Sequence, residues 1–226
     1  MGNTGLYIKN KLSDVQVDGT YINMFLQERG EDSIPGGKIV YPSVSLQHPL
    51  VLLSPDTDFF VSEVGQKYVD PYCTEIWIST EEGQTTTVKW AAYDTYYKSS
   101  SSAEYGLRVF NSRGEEVFLS SRSLFNIKHV ATVSLANPSA TFDYSDISHP
   151  VIGCPYYFIS PRSLAILQTV PTGPGLYLYK RCCVGVKKLS SSSVRVGWYS
   201  PTSWAQTSMG SLFYNPQITV FVCEVK

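Results

Sequence analysis

The side chains from which this chain could build chemistry are its histidines, its cysteines and the carboxylate pairs Asp56/Asp58, Glu81/Glu82 and Glu115/Glu116. Nucleophilic hydrolysis needs a serine or cysteine, a histidine and a carboxylate that converge in space. No Gly-x-Ser-x-Gly elbow marks such a serine. His48 and His149 both precede proline and stand at the same place in an internal repeat, which points to one structural job done twice, such as capping the start of a strand. His129 lies in a strand-like run, 125–133, on a half-buried or open face.

A glycosidase needs two carboxyl groups flanking one bond. The pairs here fall at predicted turns or loop edges, and neighbours on a strand point to opposite faces, so they read as solvated turn acids. The five cysteines, Cys73, Cys154, Cys182, Cys183 and Cys223, are odd in number and form no Cys-x-x-Cys pair. Adjacent Cys182 and Cys183 would face opposite sides of a strand, which is poor geometry for sharing a metal. They read as buried free thiols of a protein made in a reducing cytosol. Gly173-Pro174-Gly175 is glycine-rich, but no helix follows it and no lysine stands where a phosphate loop needs one. The sequence therefore assigns no catalytic residue, no metal ligand and no cofactor.

The elements that would position these residues are strands. Apolar and polar residues alternate with a period of two along 74–80, 85–93, 175–186, 194–199 and 217–225, and β-branched and aromatic residues dominate them. Along 217–225 both faces carry apolar residues, so this strand is expected to be covered on both sides. Glu81-Glu82-Gly83-Gln84 has the composition of a hairpin turn with Gly83 at positive φ. The nearest helix candidates, 24–29 and 58–68, are short or broken by Gly65, and 13 prolines and 16 glycines interrupt the chain too often for long helices.

Part of the chain is written twice. Gly5, Leu6, Ile8, Asn10, Asp14, Val15 and Val17 align, with one inserted residue, to Gly106, Leu107, Val109, Asn111, Glu116, Val117 and Leu119. His48-Pro49-Leu50-Val51 aligns to His149-Pro150-Val151-Ile152 at the same offset, since 149 − 48 and 106 − 5 are both 101. In the second copy Asn111-Ser112-Arg113-Gly114 suits a type I turn with a glycine bulge, whereas the first copy lacks that glycine. A small polar run at 98–104, with Ser99–Ser102 inside it, precedes the second opening, and Ser190–Ser193 reads as a hairpin loop matching Glu81–Gln84 in the repeat. The expected fold is all-β: two tandem, similar antiparallel β-sandwich domains, 1–98 and 105–226, joined by a linker at 99–104.

Composition narrows the function. With 18 basic against 19 acidic residues and 16% charged residues, the chain lacks the basic footprint of a nucleic-acid binder. It shows no apolar run of about 18–20 residues and no basic amphipathic segment, so no membrane insertion is expected. Met1-Gly2-Asn3-Thr4 does not begin a secretory signal, and Leu6 breaks the myristoylation pattern. Sixteen Tyr, ten Phe and four Trp are more aromatic residues than two small sandwiches readily bury. Tyrosine is favoured on strands, and when exposed it suits interfaces and sugar faces. Tyr93, Tyr96, Tyr97, Tyr156, Tyr157 and Phe158 are therefore expected at subunit contacts.

Tyr105-Gly106-Leu107-Arg108-Val109-Phe110-Asn111-Ser112-Arg113-Gly114-Glu115-Glu116-Val117 resembles the Gly-Leu-x-Val-(Phe/Tyr)-(Asn/Asp)-x-x-Gly opening of small tail-tip, baseplate or tail-fibre proteins of tailed bacteriophages. The match covers about a dozen residues, with a weaker copy at 5–17, and it opens each half here rather than the protein once. The resemblance carries no site residues. It implies a non-enzymatic virion structural protein assembled in the host cytoplasm, in symmetric copies and beside other phage tail proteins, acting in assembly or host attachment. The alternative is a receptor- or carbohydrate-binding, lectin-like module whose partner is a host surface glycan or receptor.

Overall fold

The computed structural model describes residues 7–9, 15–18, 24–56, 58–95, 108–110, 113, 116–119, 126–136, 142–160, 164–173, 176–201, 205–207 and 217–225. All regular structure in them is β. Each half opens with a two-stranded antiparallel hairpin, β1 (Tyr7–Lys9) with β2 (Val15–Asp18) and, in the second half, β9 (Arg108–Phe110) with β10 (Glu116–Leu119). The first half continues with β3 (Phe25–Pro35), β4 (Gly37–Val40), β5 (Leu50–Pro55), β6 (Val61–Val69), β7 (Tyr72–Thr80) and β8 (Thr85–Asp94). The second continues with β11 (Asn126–Ser134), β12 (Tyr144–Ser148), β13 (Pro155–Ser160), β14 (Leu164–Gly173), β15 (Leu176–Ser190), β16 (Ser193–Tyr199), β17 (Ala205–Thr207) and β18 (Gln217–Glu224).

Apart from the two opening hairpins, which are separate two-stranded sheets, the strands form two antiparallel sheets that face each other. The first sheet has the order β11-β18-β13-β5-β8-β3, the second β12-β16-β15-β6-β7-β4, with β14 and β17 added to β15. Both sheets run without a break from one half into the other. The seam is made by β13 beside β5, through Tyr157↔Leu53, and by β15 beside β6, through Val186↔Val61. Read outward from the seam, the halves give the same succession: β5, β8, β3 against β13, β18, β11, and β6, β7, β4 against β15, β16, β12. Antiparallel pairing of like strands across a seam is what a two-fold relation between repeats produces. Among the described residues, the strands β14 and β17 have no counterpart in the first half. Residues 96–107, which hold the expected linker, and Gly5 and Gly106 lie outside the described residues.

Alternation explains the packing. In the first half Ile34, Val51, Leu53, Val88 and Trp90 of one sheet meet Val40, Val61, Ile76 and Ile78 of the other. In the second half Tyr157, Ile218, Val220 and Val222 meet Ile147, Val184, Val186, Val194, Val196 and Trp198. A third cluster, Leu52, Ala91, Tyr93, Tyr156 and Cys223, covers the outer face of the first sheet across the seam. Strand β18 is therefore covered on both sides, as its sequence predicts. At 25 cal/mol per Å² of apolar surface, each fully buried Val, Leu or Ile contributes about 1.5–3 kcal/mol.

The turn Glu81–Gln84 joins β7 to β8, and Gly83 takes φ 72°. Two segments weighed as helices, 24–29 and 58–68, lie in β3 and β6 and their approaches instead. Ser190–Ser193 does close a hairpin, between β15 and β16, but its counterpart in the first half is the β6–β7 turn at Asp70-Pro71, not Glu81–Gln84. The offset of 101 holds at Leu46 and Ile147: Leu46 bridges Cys73, and Ile147 pairs with Val194 on the equivalent strand.

Candidate functional site

The rings expected at subunit contacts are mostly inside the molecule. Tyr93 and Tyr157 are 0% and 1% exposed, Tyr156 is also buried, and Phe158 is partly buried against the outer cluster. Tyr96 and Tyr97 lie outside the described residues. The Tyr156-Tyr157 doublet does send its rings to opposite faces of β13, but both faces are covered: Tyr157 enters the second-half core and Tyr156 the seam cluster. Burial pushes the Tyr93 phenol up to about 12 and raises those of Tyr156 and Tyr157.

The two His-Pro histidines do different jobs. The His48 amide donates to Asp94 Oδ2 at 3.2 Å while its exposed ring sits 5.8 Å from the Tyr68 ring. His149 is buried. Its amide donates to Ser192 O at 2.8 Å, its Nδ1 donates to Pro150 O at 2.8 Å, and its Nε2 accepts from Tyr157 Oη at 3.3 Å. That arrangement fixes one tautomer and orients a core tyrosine. His129 is half-buried on the edge strand β11. Of the thiols, Cys182 faces the second-half core, Cys183 faces the other side, Cys73 and Cys223 are buried and Cys154 is exposed. Among the described residues no group of three His, Cys, Asp or Glu could hold a metal ion.

The structure instead brings functional side chains together on the outer face of the second sheet. At its first-half end Trp77 pairs with Ile39 on one side and Gly65 on the other. The indole rests against the backbone at Gly65, where a Cβ would lie in ordinary van der Waals contact, 3.5 Å away. The Trp77 N–H donates to Glu75 Oε2 at 2.9 Å, and Lys67 Nζ donates to Glu75 Oε1 at 2.7 Å, which holds the Glu75 carboxyl below its usual range. Trp77, Ile39, Val69 and Tyr72 are all exposed on this face of β4, β6 and β7, Tyr41, just past β4, is 69% exposed, and Tyr68, also exposed, is in register with buried Cys73 and turns the other way toward His48.

At the seam, on the same face, is a cleft of about 350 Å³ lined by Phe60, Glu81 and Glu82 from the first half and Phe142, Tyr144, Trp198, Tyr199 and Ser200 from the second. Two aromatic rings form its floor. Phe60 and Tyr199 are stacked, with ring centroids 6.1 Å apart and planes 8° from parallel. They lie over glycines: a Cβ on Gly185 would stand 2.7 Å from the Tyr199 ring, and one on Gly197 would stand 3.1 Å from Phe60 and 2.7 Å from Tyr144. The floor is anchored. Thr80 Oγ1 donates to Phe60 O and the Phe60 amide donates to Glu81 Oε1, both at 2.9 Å. Tyr199 Oη reaches Ser62 Oγ and Ser79 Oγ at 2.6 Å each.

The wall is anchored too. Asp143 accepts from the Tyr144 amide at 2.9 Å and from the Ala136 amide at 2.6 Å, and Trp198 Nε1 donates to Ala136 O at 2.9 Å. Arg195 lies over the Tyr144 ring, 3.9 Å from its centroid, and forms a two-point pair with Asp146 at 2.6 and 2.8 Å. That pair lowers the Asp146 carboxyl. The Glu82 amide donates to Ser200 O at 2.9 Å, tying the β7–β8 turn to the end of β16. Glu81 and Glu82, read from the sequence as solvated acids on opposite faces, thus line one cleft. Strict alternation does not apply inside a turn, and no local signal announces a contact with residues more than a hundred positions away.

No family model matches this chain, and no curated protein or solved structure matches it.

Proposed function

We propose that this chain is a structural subunit of a tailed-phage virion, set at the tail tip, baseplate or fibre and acting in assembly or host attachment. It would be assembled in the host cytoplasm, in several symmetric copies, beside other tail proteins. Residues 1–98 and 105–226 are two copies of one unit in this reading, which the common strand order supports. The observation that carries the proposal is the set of exposed apolar side chains on the outer face of the second sheet, Ile39, Val69, Tyr72 and Trp77, with Tyr41 just past β4. Exposed apolar residues gathered on one sheet face are commonly covered by another protein. That face takes the place of the buried Tyr93, Tyr156 and Tyr157 as the surface through which copies or tail partners would meet. The rigidity of sheets continuous across the seam suits a mechanical part, and the resemblance at 105–117 points the same way.

The test is peptide mass spectrometry of gradient-purified particles from cells carrying the gene. Peptides of this chain should co-sediment with tail proteins. Their absence from particles, with the protein abundant in the cell extract, would overturn the proposal. The lectin-like reading draws on a separate feature, the seam cleft.

A further inference from the structure

We infer that the seam cleft is a saccharide-binding site. The inference stands on the geometry of the cleft and not on the virion reading. Its volume, about 350 Å³, falls in the range of small-molecule sites, roughly 300–1,000 Å³. Such sites favour junctions between units, and this one exists only where the halves meet: Phe60, Glu81 and Glu82 come from one, Tyr144 and Ser200 from the other. The lining combines ring surfaces with fixed oxygen acceptors. Phe60, half-buried and stacked on Tyr199, lines one side, and Tyr144, 52% exposed, lines the other. Glu81 is held in place through the Phe60 amide, and Glu82 is exposed at the rim.

A pyranose presents C–H faces that rest on aromatic rings and a girdle of hydroxyl donors that carboxylates accept. A lone ammonium or guanidinium fits less well. The cleft is larger than one such group, and one face of the Tyr144 ring already carries the Arg195 guanidinium, so that face is closed to a second cation. An anionic sugar is disfavoured at Glu81 and Glu82, so the ligand class is a neutral oligosaccharide.

The floor is built, not incidental. Gly185 and Gly197 leave the room that Tyr199 and Phe60 occupy, and any side chain at 197 would meet Phe60, Tyr144 Cβ and the Asp143 carbonyl, the last at 2.9 Å. Glycine on adjoining strands β15 and β16, in register with each other, keeps both rings low on the sheet.

The experiment uses the full chain on an array of immobilised oligosaccharides of three to six residues, followed by calorimetric titration of the strongest hit. Tyr144→Ala removes the wall and Glu82→Gln one acceptor. Both positions are exposed, so thermal midpoints should stay within a few degrees. At least one neutral oligosaccharide should bind, and each variant should weaken it by about tenfold, the equivalent of one lost contact of about 1.4 kcal/mol. Glu81→Gln, which keeps an oxygen for the Phe60 amide, separates loss of the acceptor's charge from loss of the floor and should also weaken binding. An array with no neutral hit, or a hit bound equally by wild type, Tyr144→Ala and Glu82→Gln, would overturn the inference. Either outcome leaves the particle-association result, and with it the virion proposal, untouched.

Discussion

Tyr199 Oη lies 2.6 Å from Ser62 Oγ, so a residue of β16 in the second half is fastened to one of β6 in the first, across the intervening strand β15. The same hydroxyl reaches Ser79 Oγ on β7, and burial raises its phenol well above the usual tyrosine range. Tyr199→Phe leaves two buried serine hydroxyls without this partner and should cost about 1–3 kcal/mol in urea-denaturation stability. Gly185→Ala, whose methyl would meet the Tyr199 ring and the Val61 carbonyl at 2.7 and 2.9 Å, should cost a similar amount by overpacking, about 1–3 kcal/mol. Gly153→Ala, with nothing within 4 Å, is the control and should be close to neutral. Equal midpoints for Gly185→Ala and Gly153→Ala would contradict the packing described.

The seam makes the halves interdependent. Residues 1–98 expressed alone would leave β5 and β6 without their neighbours β13 and β15, and would open the cluster of Leu52, Ala91 and Tyr93. Unpaired apolar sheet edges invite association. By analytical ultracentrifugation and circular dichroism this fragment should be unfolded or self-associated. A monomeric fragment with cooperative unfolding would show that the seam is dispensable.

Thiol accessibility follows burial. In the native state Cys154 should react quickly with an uncharged alkylating reagent. Cys223, buried and with its thiol pushed up to about 12 by desolvation, should react only on unfolding, as should Cys73, Cys182 and Cys183. Denaturing titration without reductant should count all five cysteines as free. Rapid native labelling of more than one would place the buried thiols wrongly.

An offset of 101 was legible in the sequence at His48-Pro49 and His149-Pro150, and in the fold the same offset relates Leu46 and Ile147, which pair with β7 and β16. Strand alternation located β7, β8, β16 and β18 to within two residues. The continuous sheets were not legible, since the seam rests on edge pairing of β5 with β13 and β6 with β15, and β-branched runs look alike whether they close an edge or join a neighbour. For the same reason Tyr93 and Tyr156 read as surface residues: their outward faces are covered by a cluster assembled from both halves. The glycines under the cleft floor carried a signal, Gly185 and Gly197 standing alone within apolar strands. A glycine inside a strand marks a close approach by another group.

Asp32 gives a pH dependence with a definite sign. Burial alone would raise its carboxyl, but hydrogen bonds from Lys38 and from Trp90 Nε1, the latter at 2.8 Å, outweigh it and hold the group below its ordinary value. A lowered carboxyl stabilises the fold above the unfolded value, about 3.9, and that contribution fades as pH falls through the folded value. The gap in urea midpoint between wild type and Asp32→Asn should therefore be steady above about pH 5 and shrink as the pH falls below 4. A gap that widens on acidification would reverse the assignment.

The most direct test of the virion proposal is a cryo-electron microscopy reconstruction of particles from cells carrying the gene. The account predicts density for this two-sheet body at the distal tail, in several symmetry-related copies, with the surface around Tyr41, Val69 and Trp77 covered by a neighbouring subunit. Particles complete to the tail tip with no density for the chain, or density in which that surface faces open solvent in every copy, would contradict it.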